Sequence, residues 1–119
     1  MKKNTRRTGS QYEKLAGAYL ERCGYRVVAY NYRCRMGEID LVAWHGAYLV
    51  FIEVKYREDA NCGTPMEAVG YQKQRKISRT AMDYCRKYHI IPDTPCRFDV
   101  VAIQGDKIEI IENAFEYIE

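Results

Sequence analysis

Residues 37–55 read Gly37-Glu38-Ile39-Asp40-Leu41-Val42-Ala43-Trp44-His45-Gly46-Ala47-Tyr48-Leu49-Val50-Phe51-Ile52-Glu53-Val54-Lys55. Two apolar runs flank a short turn, the pattern of two strands joined by a tight hairpin. With Gly46-Ala47 as a two-residue loop, His45 pairs with Tyr48, and the same register sets Asp40 opposite Glu53. Residues so paired have Cβ atoms about 4.5–5.5 Å apart on one face. Lys55, two residues on, points to that face as well.

Both strands are otherwise apolar, as central buried strands are. Two opposed like charges there are destabilising unless something compensates them. A divalent cation does so directly, because Mg²⁺ is held by one or two carboxylates together with waters and phosphate oxygens. Lys55 can then pair with a phosphate or orient and deprotonate an attacking water, which is the chemistry of phosphodiester hydrolysis. The alternative is that Lys55 neutralises one carboxylate and both acids lie at a solvated strand end. The hairpin register and the apolar flanks favour the metal site.

Working outward, Ser10 to Cys23 is predicted to be a helix. Tyr12, Leu15, Ala16, Tyr19, Leu20 and Cys23 recur at helical spacing, and Gly24 stands where a C-terminal cap belongs. Glu13 borders that stripe and shares an edge with Gly17, where the helix can approach the sheet closely. It is either a third acid for the site or half of a Ser10…Glu13 capping box. A strand follows from Tyr25 to Arg33, then the hairpin strands Glu38 to Trp44 and Leu49 to Tyr56. Arg57 to Pro65 is expected to be a mobile loop. A second helix runs from Met66 or Gln72 to Tyr88, with Ile77, Ala81, Tyr84, Cys85 and Tyr88 as its apolar stripe and Arg75, Arg79 and Arg86 opposite. Strands Phe98 to Ile103 and Lys107 to Ile111 close the order α-β-β-β-α-β-β. This is an α/β fold, a mixed sheet flanked by helices, in one domain over residues 1–119 with a basic arm at 1–8.

The 119 residues suit one domain, and the 29% charged content with alternating apolar runs argues against disorder. No apolar run is long enough to span a bilayer, and no apolar segment follows the basic start to make a signal peptide. Five scattered cysteines without a CxxC pair suit reduced thiols and a cytoplasmic location. Net charge is only +3, but from Tyr71 to Tyr88 six basic residues face one acid, and Lys2, Lys3, Arg6 and Arg7 add to them. A basic arm and a basic helix suggest a polyanion, with phosphates supplying affinity. A solvated helix face is the plainer reading of the same charges. Arg57, on the face of Lys55, is a candidate phosphate contact, and Lys73, Arg75 and Arg79 would position a nucleic-acid backbone. Glu38 is read as solvated or arginine-paired, His45 as a surface histidine, and Asp99 as a hydrogen-bonded structural acid. Tyr30, Tyr56 and Tyr71 are options for base stacking.

A set of motifs spans almost the whole chain: Glu13-x-x-Ala16-x-x-Tyr19-Leu20, Gly24-Tyr25, Asn31-Tyr32-Arg33, Gly37-Glu38-Ile39-Asp40-Leu41-Val42, Phe51-Ile52-Glu53-Val54-Lys55-x-Arg57, Ala68-Val69, Lys73-x-x-Lys76, Arg97-Phe98-Asp99-Val100-Val101 and Ile111-Glu112-Asn113-Ala114-Phe115. With them the sequence resembles the UPF0102 (YraN-like) family. That family is similar in turn to the restriction-endonuclease-like PD-(D/E)xK superfamily, and most of all to archaeal Holliday junction resolvases. The resemblance implies a Mg²⁺ or Mn²⁺ site with Glu13 as the helix acid and Asp40 and Glu53 as metal ligands. It implies the Val54 carbonyl as a further ligand, Lys55 as the catalytic lysine, and Gln72 and Lys73 at the start of a bordering helix. Ile39 stands where the superfamily usually has proline. The implied activity is hydrolysis of phosphodiester bonds in nucleic acid, though the resemblance supplies no substrate; DNA, with branched DNA as an option, is the expected one, and a resolvase-like activity would need a homodimer. The alternative is a nucleic-acid-binding module that keeps the fold without turnover.

Overall fold

The computed structural model describes residues 8–57 and 69–119. The basic arm up to Arg7, Cys62, nearly all of the loop expected over residues 57–65 and a helix start at Met66 lie outside the described residues. Two helices and five strands alternate as α1 (Gly9–Arg22), β1 (Arg26–Cys34), β2 (Gly37–His45), β3 (Tyr48–Arg57), α2 (Tyr71–Lys87), β4 (Cys96–Gln104) and β5 (Lys107–Phe115). The strands form one sheet in sequential order, with β3 and β4 parallel and the other neighbours antiparallel. A parallel pair needs a long crossover, and the connection containing α2 supplies it. The expected element order and mixed sheet are therefore those observed.

Each helix covers one face of the sheet. Tyr12, Ala16 and Leu20 of α1 pack with Leu41, Ala43, Val50, Ile52, Val54 and Val101. Ile77, Ala81 and Tyr84 of α2 pack with Val42, Phe51, Phe98 and Val100 on the other face. Burial of β3 on both faces explains why its apolar run does not alternate. Gly17 meets the tight approach anticipated for it: a Cβ there would lie 2.1 Å from the Tyr30 hydroxyl oxygen.

Most element ends differ from the sequence reading by a residue or two, and three differences have a physical cause. Helix α1 starts at Gly9 and is capped by Thr8, whose hydroxyl accepts from Gln11 N–H at 3.2 Å while the Gln11 side chain accepts from Thr8 N–H at 2.7 Å. That capping box replaces the Ser10…Glu13 one and leaves Glu13 to other work. Strand β5 continues to Phe115 rather than Ile111, because a bulge between Phe98 and Val100 lets the Asp99 carboxylate accept Asn113 N–H at 2.9 Å. Tyr88, assigned to the apolar stripe of α2, is 52% exposed just past the helix end.

Asp99 is fully buried and satisfied, as expected of a structural acid. It accepts from the Tyr25 hydroxyl at 2.7 Å and from Nε and a terminal nitrogen of Arg97, each at 2.9 Å. Burial, then the hydrogen bond and charge of Asp99, push the Tyr25 hydroxyl well above its ordinary pKa. His45, expected at the surface as a turn residue, is half-buried and engaged. Its ring stacks on Tyr25 with centroids 4.0 Å apart, and its Nδ1 lies 2.8 Å from the same Arg97 guanidinium. Arginine has only donors, so this nitrogen accepts.

Candidate active site

The hairpin register is the one expected, with His45 opposite Tyr48 and the ladder running back to Leu41 opposite Ile52. The ladder stops there. Asp40 and Glu53 are the next residues on either strand, and the Asp40 carboxylate, instead of a ladder carbonyl, accepts Val54 N–H at 2.8 Å. The acids thus stand at a fork, where β2 pairs onward with β1 and β3 with β4. A strand residue sends its N–H and C=O to the same edge, so the Val54 carbonyl also faces this fork.

Beside it lies a cleft of about 360 Å³ lined by Gly37, Glu38, Asp40, Glu53, Gln72, Lys73, Lys76 and Ile77. Glu13, Glu38 and Asp40 each bring a carboxylate oxygen to within 4.8 Å of the others. Glu13 reaches the fork from α1 and accepts from the Asn31 side-chain amide at 2.8 Å. Glu38 is arginine-paired as expected, 3.5 Å from Arg33 Nε, yet it also belongs to the acid cluster. Glu53 is buried, and its carboxylate is held by Lys73 at 2.5 Å and Lys55 at 3.4 Å.

The electrostatics follow from this division. Burial, then the Glu53 charge, and more weakly Glu13, raise the Asp40 pKa to about 7 against the relief given by Val54 N–H and Lys73. Burial and the neighbouring Lys73 pull Lys55 below its ordinary value, although Glu53 opposes them. Burial also pulls on Lys73, but its bond to Glu53 outweighs that and holds its pKa above the usual lysine value.

The donor set suits a hard cation. All members of the cluster are carboxylates, and among the described residues no cysteine or histidine joins it. Burial and the Glu53 charge disfavour the ionised Asp40 carboxylate more than Val54 N–H and Lys73 favour it, and a bound cation would relieve the difference. Of the residues singled out in the sequence, Glu13 clusters with Asp40, Asp40 and Glu53 line the same cleft, Lys55 and Lys73 sit on Glu53, and Gln72 is on the cleft wall. Arg75 and Arg79 do not line the cleft. Arg57, two residues past Lys55, has a buried Nε with no hydrogen-bond partner among the described residues. Tyr30, Tyr56 and Tyr71 are exposed; Tyr56 stacks on Tyr12 at 3.9 Å, and Tyr30 closes over Gly17.

The sequence reading did not single out Lys76 or Asn31 for the site. Lys76 stands one turn beyond Lys73, a spacing that places both on one helix face. Asn31 carried a fainter signal, a residue poor in β-propensity in the middle of a strand.

The sequence model described as "Uncharacterised protein family UPF0102" matches residues 12–103, a span that holds all four acids of the fork and both lysines on Glu53. A UPF0102 protein of Lachnoclostridium phytofermentans is 48% identical over 113 residues, covering 95% of this chain and 96% of that protein. One from Syntrophus aciditrophicus is 46% identical over 92% of this chain and 89% of its own length. One from Legionella pneumophila is 43% identical over 94% of this chain and 97% of its own.

Proposed function

The chain belongs to the UPF0102 family, and from its site we propose that it is a divalent-metal-dependent nuclease that hydrolyses phosphodiester bonds, with DNA as the substrate and branched DNA included. The observation that carries the reading is the acidic fork: Glu13, Glu38 and Asp40 clustered, with Glu53 and two lysines beside them.

Asp40 and Glu13 would hold Mg²⁺ or Mn²⁺, joined by Glu53 and the Val54 carbonyl. When bound, the metal polarises a phosphoryl oxygen and lowers the pKa of its water. Lys55 sits beside that position with a depressed pKa, suited to taking a proton from the attacking water or to pairing with the phosphate. The Nε of Arg57, without a partner among the described residues, offers a donor to a phosphate oxygen. Lys73 and Lys76 on the cleft wall provide contacts for the adjoining backbone. A junction-cutting enzyme needs two sites facing two strands, so a two-fold dimer is part of the proposal. No described helix is long and apolar enough to cross a membrane.

One observation favours a second reading. Glu53 is already neutralised by Lys73 and Lys55, as in a nucleic-acid-binding module that has no use for a metal. Glu53→Gln separates the two. In an enzyme this change abolishes cleavage of labelled nucleic acid while binding, measured by anisotropy, is unchanged or tighter. A binding module cuts nothing with any metal in either form.

Lys73 gives a second expected result. Lys73→Gln removes the shorter of the two lysine contacts on Glu53 and leaves that of Lys55, so Mn²⁺ binding without nucleic acid should tighten about tenfold, the scale of one partly screened charge contact. Cleavage should still weaken through KM, because a phosphate contact is lost. Calorimetry and a kinetic titration check the two halves.

A further inference from the structure

Asn31 lies in the middle of β1 with φ of 54°, in the left-handed region. Residues 30 and 32 of a regular strand share a face. Here they do not. The Tyr30 ring sits over Gly17 of α1, whereas the Tyr32 hydroxyl donates to Asp83 of α2 at 2.6 Å and the Tyr32 ring meets Tyr84 edge-on. The left-handed residue between them turns the strand over. Asparagine tolerates that conformation better than most side chains, but glycine would satisfy the backbone with less strain.

What glycine could not supply is the amide. Asn31 Nδ2 donates to Glu13 Oε1 at 2.8 Å. Its neighbours in the strand pair with Leu41 and Ile39, so Asn31 stands across from Asp40. One side chain thus links the helix acid to the strand position that carries Asp40.

We infer that Asn31 is a positioning residue: its amide ties down one oxygen of Glu13 and so holds the carboxylate within the acid cluster, with its other oxygen left for the cation. This rests on the metal-site reading above. A half-fixed carboxylate has less rotamer freedom to lose when it binds, and second-layer hydrogen bonds of this type tune metal sites strongly. Asn31 does not touch the metal; it acts through Glu13.

Asn31→Gly tests this, because glycine keeps the left-handed backbone and removes only the amide. Mn²⁺ affinity is measured by calorimetry on wild type, Asn31→Gly, Glu13→Gln and the double variant, alongside thermal unfolding without metal. The expected result is a loss of about tenfold or more in affinity for Asn31→Gly, with Tm unchanged or higher. The double variant should bind no more weakly than Glu13→Gln alone. Wild-type affinity in Asn31→Gly overturns the inference. So does a double variant whose losses simply add, because Asn31 would then act independently of Glu13. A lower Tm with unchanged affinity assigns Asn31 a purely structural role. If wild type itself binds no Mn²⁺, the metal-site reading fails first and the inference with it.

Discussion

Asp40→Asn should give a protein that is more stable than wild type without metal and inert with it. The folded pKa of Asp40 is about 7 against an ordinary 3.8, so the native state holds this proton more tightly than the unfolded chain. Stability from that group is therefore present at low pH and is lost as pH rises through 7. At pH 8 the ionised carboxylate costs the metal-free fold on the order of 2 kcal/mol after allowance for solvent. Asparagine removes the charge and can still accept Val54 N–H. Its Tm should exceed that of wild type at pH 8, and the gap should close as pH falls toward 4. Added Mg²⁺ should stabilise wild type and leave the variant unmoved. Cleavage should fall by about 10³-fold or more, since transition-state stabilisation by a metal is worth several kcal/mol. Stability that rises when an acid is removed is the mark of a site strained for function.

Asp99→Ala should act in the opposite sense. It leaves the Arg97 guanidinium, only 11% exposed, facing the Tyr25 hydroxyl and the His45 ring without its carboxylate, and it strips Asn113 N–H of its acceptor. Breaking one side of a buried pair costs about 3–5 kcal/mol, a large part of the whole stability of a domain. The urea midpoint should drop accordingly. Removing both charges, as Arg97→Leu with Asp99→Leu, should recover much of the loss, because the stranded charge goes with its partner. Glu112, 3.8 Å from Arg97, is too exposed to replace Asp99.

The sequence revealed the fold where local rules dominate. A two-residue turn at Gly46-Ala47 fixes the hairpin register, and with it the places of Asp40 and Glu53. Gly17 announced a close approach because an absent side chain on a helix edge has few other uses. The helix start was misread because two capping boxes overlap, and Thr8…Gln11 is the one formed. What could not be read depends on partners distant in sequence. Strand β5 outruns its apolar pattern because Asp99 bridges the bulge to Asn113. His45 looks like a turn residue until Tyr25 and Arg97 are brought to it. Glu38 joins the cluster, and Glu53 is taken by Lys73, only once α1 and α2 close on the two faces of the fork.

The measurement that tests the central claim most directly is cleavage of labelled duplex, single-stranded, flap and four-way-junction DNA, and of RNA, by wild type and Asp40→Asn purified in parallel, with Mg²⁺, Mn²⁺ or a chelator. Cutting by wild type that requires the metal and disappears in Asp40→Asn is the expected result. No cutting by wild type with either metal, or equal cutting by both proteins, would contradict the account.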